Sequence, residues 1–168
     1  TNVTFGNNVT RIPDYAFTDC SRIVSVSFPQ AITSIGVAAF RGTGITEISI
    51  PNSVTSIGKG AITLCSSLSS ANFYATNCST VTSGTSNSFG DIIFTGCPML
   101  TDLNIGESVE TIPDNTFSNC SNLTTITIPS SVTNIGYNAF ANCYGLTSVN
   151  YTGDLAEWCR ITFENGGD

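Results

Sequence analysis

The sequence predicts a repeat solenoid: a β-rich, right-handed coil with short strands and a single helical turn in each repeat of about 23 residues. Three observations predict it. A motif, Ile-Gly-x-x-Ala-Phe-x-x-Cys, recurs six times along the chain. A second motif, Leu-Thr-x-Ile-x-Ile-Pro, travels with it. The spacing holds: the aromatic position falls at Phe17, Phe40, Ile62, Phe94, Phe117 and Phe140, in steps of 23, 22, 32, 23 and 23.

The first motif reads Ile12-Pro13-Asp14-Tyr15-Ala16-Phe17 in the first copy and Ile135-Gly136-Tyr137-Asn138-Ala139-Phe140 in the last. The step of 22 belongs to the shortened turn Arg41-Gly42-Thr43-Gly44, where Thr43 stands at the cysteine position. The step of 32 is one repeat plus nine residues, which fall within Ala75 to Ser88. The second motif is clearest at Leu123-Thr124-Thr125-Ile126-Thr127-Ile128-Pro129. Alternation of Ile126 and Ile128 with threonine predicts a short strand with one face buried. Proline offers no amide to a neighbouring strand, so Pro129 ends it. Val132 to Ile135 is a second short strand, and Gly136, or Pro113-Asp114 in the equivalent place, opens the helical turn that buries Ala139 and Phe140. No such unit buries its apolar face alone, so the repeats stack equivalent residues into one core. Phe17, Phe40, Ile62, Phe94, Phe117 and Phe140 are its expected spine, with Phe40, beside the shortened turn, tolerating truncation better than Phe117. The solenoid is assigned to residues 1–150, with the insertion at 75–88. Residues 151–168 are read as a closing segment of a chain truncated from something longer.

At these residues the chain resembles the BspA-type, or Treponema-type, leucine-rich-repeat family, over roughly residues 3 to 150. The segment Tyr151 to Phe163 resembles one seen after or between such repeats. The resemblance implies a secreted or cell-surface protein with an adhesive or protein-binding role. It brings no catalytic motif. The chain departs from the family pattern at Thr43, at Ile62 and in the insertion.

Composition narrows the function classes. With 40% apolar residues the chain can bury a sizeable core, and with 10% charged its polar surface must come from Ser, Thr and Asn. Five basic residues against twelve acidic ones argue against nucleic acid and anionic membranes. No apolar run is long enough to span a bilayer, and Thr1 enters directly into the repeat pattern without a charged-then-apolar stretch, as expected of a mature or excised segment. There is no histidine to activate a Ser or Cys nucleophile, so no catalytic residue is assigned. No cofactor is expected. Five cysteines, Cys20, Cys65, Cys97, Cys120 and Cys143, share one repeat position and lack Cys-x-x-Cys spacing, so they read as small buried thiols and not as metal ligands. Disulfides between adjacent coils stay open as an alternative. Cys78 lies off the column and is expected to be exposed or crosslinked, and Cys159 falls in the closing segment. Asp91, Asp102, Glu107, Glu110 and Asp114 read as a solvated face. Asn-x-Ser/Thr sequons occur at Asn2, Asn8, Asn77, Asn119, Asn122 and Asn150.

Two columns of outward strand positions form the expected binding face. One is Ser25, Glu47, Ser70, Asp102, Thr125 and Ser148, and the other is Ser27, Ser49, Asn72, Asn104, Thr127 and Asn150. Solenoids bind through such extended faces, although these columns carry no Trp, Tyr or Arg. A protein or cell-surface ligand is the expected partner. The competing reading is a structural protein that self-associates end to end into fibres.

Overall fold

The computed structural model of the 168-residue chain describes residues 1–81 and 93–164. The fold class is as expected: six coils of a β-solenoid with little helix. In chain order the first strands are β1 (Asn2–Thr4), β2 (Arg11–Ile12), β3 (Ser25–Ser27), β4 (Ser34–Ile35), β5 (Glu47–Ile50), β6 (Ser56–Gly58) and β7 (Ser70–Phe73). There follow β8 (Ser79–Val81), β9 (Asp102–Ile105), β10 (Thr111–Ile112), β11 (Thr125–Ile128), β12 (Asn134–Ile135), β13 (Ser148–Tyr151), the one-turn helix α1 (Leu155–Trp158) and β14 (Thr162–Phe163).

All pairing is parallel, as stacking of equivalent segments requires. The alternating motif makes a front face of three short ladders, β1-β3, β5-β7-β9 and β11-β13. The Ile-Gly segment makes a side face of two, β2-β4-β6-β8 and β10-β12-β14. In β11, Ile126 and Ile128 are buried while Thr125 and Thr127 are exposed, as the period of two demands.

The expected helical turn takes a different form. Successive turns replace it, with i to i+3 bonds such as Cys20 N–H to Phe17 carbonyl at 3.1 Å, and the segment also bonds to the next coil. Tyr15, Phe17 and Asp19 amides donate to the Val37, Ala39 and Arg41 carbonyls at 2.7, 2.8 and 2.7 Å, and Asn115, Phe117 and Asn119 repeat the pattern onto Tyr137, Ala139 and Ala141. Aiming these amides along the stack needs left-handed residues at two places per coil. One column is Tyr15, Ala38, Gly60, Asn115 and Asn138; the other is Asp19, Gly42, Leu64, Gly96, Asn119 and Asn142. Non-glycine residues give up roughly 1–2 kcal/mol each there, which the inter-coil bonds offset.

Inside, the aromatic column is continuous at both ends of the molecule. Phe17 stacks on Phe40, and Phe117 lies between Phe94 and Phe140, each pair with centroids 5.4 Å apart. Ile62 bridges the middle, fully buried. Phe17 and Phe140 are only partly buried. The milder effect expected at Phe40 does not follow, because that ring is fully buried against both Phe17 and Phe28.

Close approach fixes which residues may succeed one another. Asp14 accepts the Val37 amide at 2.9 Å and Asp114 accepts the Tyr137 amide at 2.7 Å. A β-carbon at Gly36 would lie 2.5 Å from Asp14 Oδ1, and one at Gly136 would strike Asp114 in the same way.

Of the segment assigned to the insertion, residues 75–81 are described and the rest lies outside the described residues. Ala75 and Cys78 are buried, Ser79–Val81 is β8 on β6, and Thr76 carbonyl accepts the Glu110 and Thr111 amides on the other side. Cys78 is thus neither exposed nor crosslinked: it is 3% accessible and part of the core, because the chain entering β8 turns inward.

Phe117→Ala should lower the unfolding free energy by about 3–5 kcal/mol, the range for a fully buried phenylalanine. Phe17→Ala, at a ring that is only partly buried, should cost clearly less. Urea titration followed by circular dichroism measures both, and equal losses would show the aromatic column to be wrongly placed.

Candidate functional site

The twelve outward positions all fall on the front face. Glu47, Ser70 and Asp102 stand in one row of paired residues, and Ser49, Asn72 and Asn104 in the next. Thr125 pairs with Ser148 and Thr127 with Asn150. Ser25 and Ser27 pair instead with Asn2 and Thr4, which extends both columns into the first coil. Ser25, Ser70, Asn72 and Ser148 are half-buried and the other eight are exposed.

The middle of this face is a bonded network. Ser70 hydroxyl donates to Asp102 Oδ2 at 3.0 Å, and Asn72 Nδ2 to Ser49 Oγ at 3.1 Å. Asn104 Nδ2 donates to Asn72 Oδ1 at 3.2 Å and to Tyr74 hydroxyl at 3.1 Å, and Tyr74 hydroxyl donates in turn to Asn72 Oδ1 at 3.3 Å. Such bonds hold side chains in one rotamer before any partner arrives, which lowers the ordering cost of association. Glu47 and Asp102 are the only charged residues among the twelve.

Tyr74 is the residue the column pattern misses. It follows β7 at the place where Pro29, Pro51 and Pro129 follow their strands. Lacking proline's restriction, it keeps an amide that donates to Ile50 carbonyl at 3.0 Å. Its ring lies over the next coil, where Gly106 leaves room; a β-carbon there would sit 2.5 Å from Tyr74 Cδ1. The ring is 36% exposed. The sequence signal is the paired departure: Tyr for Pro, then Gly for Pro one coil later.

Beside Tyr74 the front face is split. β3 and β5 are not laddered, though Thr46 amide still reaches Val24 carbonyl at 3.2 Å. A groove of about 510 Å³ opens at this seam, between the strand carrying Ser25 and Ser27 and the strand carrying Glu47 and Ser49.

The acidic residues grouped in the sequence do not converge among the described residues. Asp102 lies on the front face, Asp114 is bonded to the Tyr137 amide, and Glu110 accepts from Asn77 Nδ2 at 2.7 Å. Asp91 lies outside the described residues.

The cysteine column is a set of free thiols. Cys65 donates to Phe40 carbonyl, Cys97 to Ile62 carbonyl and Cys143 to Phe117 carbonyl, each at 3.2 Å, and Cys120 to Phe94 carbonyl at 3.9 Å, so these four thiols cap carbonyls of the preceding coil. At the same repeat position the Thr43 hydroxyl donates within its own coil, to Phe40 carbonyl at 2.8 Å, and lies 3.4 Å from Cys65 Sγ. Cys65, Cys97 and Cys120 are buried, Cys143 is half-buried, and Cys20, in the first coil, is exposed. Burial pushes the Cys78 and Cys120 thiols up to about 12. The adjoining Cys65 thiol, together with burial, holds Cys97 protonated as well.

The BspA type leucine-rich-repeat region matches residues 1–90 and 72–167, in six copies. A leucine-rich repeat protein from Eubacterium ventriosum superposes with a TM-score of 0.57 at 27% identity, over 84% of this chain and 42% of its own. One from Bacteroides ovatus gives 0.56 at 24%, over 89% and 42%. The leucine-rich repeat protein of T. pallidum gives 0.51 at 18%, over 89% and 55%. The chain therefore spans about half the length of these solved structures. No curated protein sequence matches.

Maleimide should label Cys20 and Cys159 in the folded chain, and Cys65, Cys78, Cys97 and Cys120 only after denaturation; mass spectrometry that finds Cys97 labelled first would contradict the column. The raised thiols also set an alkaline limit. Between the ordinary thiol value of 9.0 and about 12 the folded state keeps protons that the unfolded chain releases, so stability falls as pH rises through that window. Urea midpoints should decline above pH about 9, and less steeply in Cys78→Ala.

Proposed function

The chain belongs to the BspA-type leucine-rich-repeat family, and on that premise we propose that it is a non-enzymatic, extracellular module that binds a protein or cell-surface ligand through the Ser/Thr/Asn face of its strands. The supporting observation is the register of that face. Residues far apart in sequence stand in paired rows on a backbone held by parallel ladders, a broad platform that changes little on contact. Its groups are hydroxyls and amides, suited to recognition, and the chain has no histidine beside them to act as a base. Among the described residues no group of three or more acidic or cysteine side chains is arranged to hold a metal. No helix there is long and apolar enough to cross a membrane. A secreted or cell-surface location accords with the family resemblance.

End-to-end assembly is the second reading, and one feature favours it. An apolar groove of about 510 Å³ lies between the sixth coil and the segment that follows it, lined by Phe140, Leu146, Val149, Trp158 and Phe163 among others. Trp158 is wedged there between Tyr151 and Phe163, at centroid distances of 5.2 and 5.8 Å.

Adhesion of the purified chain to a panel of immobilised matrix and cell-surface proteins tests the first reading. Thr125→Arg combined with Thr127→Arg and Asp102→Lys should reduce any authentic adhesion at least about tenfold, which is 1.4 kcal/mol, while Asn52→Arg, on a strand-ending turn, should leave it intact. Light scattering that finds length-heterogeneous polymers, with adhesion indifferent to the face, would favour assembly instead.

A further inference from the structure

The groove at the β3–β5 seam has two chemically different ends. Glu47 and Ser25 line one end, where the strands begin, and Phe28, Pro51 and Tyr74 line the other. Glu47 is exposed and is the only charged side chain in the lining. From Glu47 to Pro51 the chain advances four residues, roughly 13 Å at the rise of a strand. Tyr74 is not a loose flap at the far end, because its hydroxyl is bonded to both Asn72 and Asn104 and its ring rests over Gly106. An aromatic ring already held in place is the kind of side chain that concentrates binding energy.

We propose that this groove takes an extended segment of a partner protein that carries a basic side chain at one end and an apolar one about four residues away. The Lys or Arg meets the Glu47 carboxylate, and the apolar side chain lies against Tyr74, Phe28 and Pro51. This rests on the reading of the strand face as the binding surface and adds the partner's chemistry to it. Charge complementarity selects the basic partner. Asp102, two coils further along the same row, repeats the sign of Glu47, and none of the twelve face positions is basic. A basic side chain set against Glu47 is matched in sign, and an acidic one there is repelled. A neutral glycan would find hydroxyls and one ring in the groove, but it would leave the Glu47 charge unmatched.

Fluorescence anisotropy on the full chain tests this with three labelled pentapeptides and one sugar. Lys-Ser-Thr-Ser-Leu, blocked at both ends, should bind saturably. Replacing its Lys with Glu, or its Leu with Ser, should weaken binding at least about fivefold, and raising the salt from about 0.05 M to about 0.5 M should weaken the Lys peptide further. Glu47→Gln should remove the preference for Lys over Glu, and Tyr74→Ser the preference for Leu over Ser. Tyr74→Phe, which keeps the ring, should retain the Leu preference. Equal binding of the Lys and Glu peptides, indifference to Glu47→Gln, or no binding of any peptide would overturn the proposal. A neutral glucose tetramer that binds and is displaced by Tyr74→Ser, with no peptide binding, would assign the groove to glycans. If the peptides fail while the Thr125, Thr127 and Asp102 substitutions still abolish adhesion, the groove's specificity is wrong and the face is right. If both fail, the face itself is wrong.

Discussion

Every coil of this molecule is unstable by itself, and that constraint orders the rest. A coil about 23 residues long encloses too few apolar side chains to form a core, so burial is achieved only across the interface with the coils above and below. The interface must satisfy backbone groups as well as bury rings. It does so on all three sides: two by parallel strands and the third by the turn segment, whose left-handed residues aim Tyr15, Phe17 and Asp19 amides along the stack. Cys65, Cys97, Cys120 and Cys143 complete the third side, each donating to the carbonyl that the preceding coil leaves beside the aromatic column. A cysteine there is small enough for the core and polar enough for that one bond, whereas Thr43, at the exception, turns its hydroxyl back to Phe40 of its own coil.

The same constraint explains what the sequence discloses. Strands at Thr125–Ile128 and Asn134–Ile135 are legible because burial on one face imposes a period of two, and the period is visible in residue type. The aromatic spine is legible because stacking demands the same residue at the same step. The third ladder is not, since Tyr15, Ala38 and Leu64 carry left-handed backbones that nothing in their side chains announces. Cys78 is misjudged for a related reason: repeat spacing says where a residue departs from the column, not whether the departing chain turns in or out. The twelve face positions are legible as placements, because the alternation that buries Ile48 and Ile126 exposes their neighbours. The groove is not legible, since it arises where β3 and β5 fail to ladder, and single-strand patterns carry no record of pairing.

Rigidity and chemistry divide the work on the front face. Ser, Thr and Asn contribute little contact area each, so a partner gains mainly from the fixed backbone beneath them and from the lowered ordering cost of the bonded side chains at the middle of the face. Tyr74 and Glu47 supply what the columns lack, an anchoring ring and a charge. Both occur where the repeat pattern relaxes: Tyr74 replaces a strand-ending proline, and Glu47 borders the unladdered seam. Strict repetition builds the platform, and local exceptions give it selectivity.

The pairing of Asp14 with Gly36, Asp114 with Gly136 and Tyr74 with Gly106 bears on how such a molecule can change over generations. Repeat arrays grow and shrink by unequal recombination, which copies or deletes whole coils. Here a coil is not a free module, because its backbone, together with the Asp or Tyr side chain, occupies space that its successor must vacate. A crossover that duplicated the Asp114 coil without its glycine-bearing neighbour would set that carboxylate against a β-carbon and cost the array its stacking at the joint. The heritable unit is therefore the adjacent pair, and lineages that keep the pair together can lengthen the array without disturbing the face it presents.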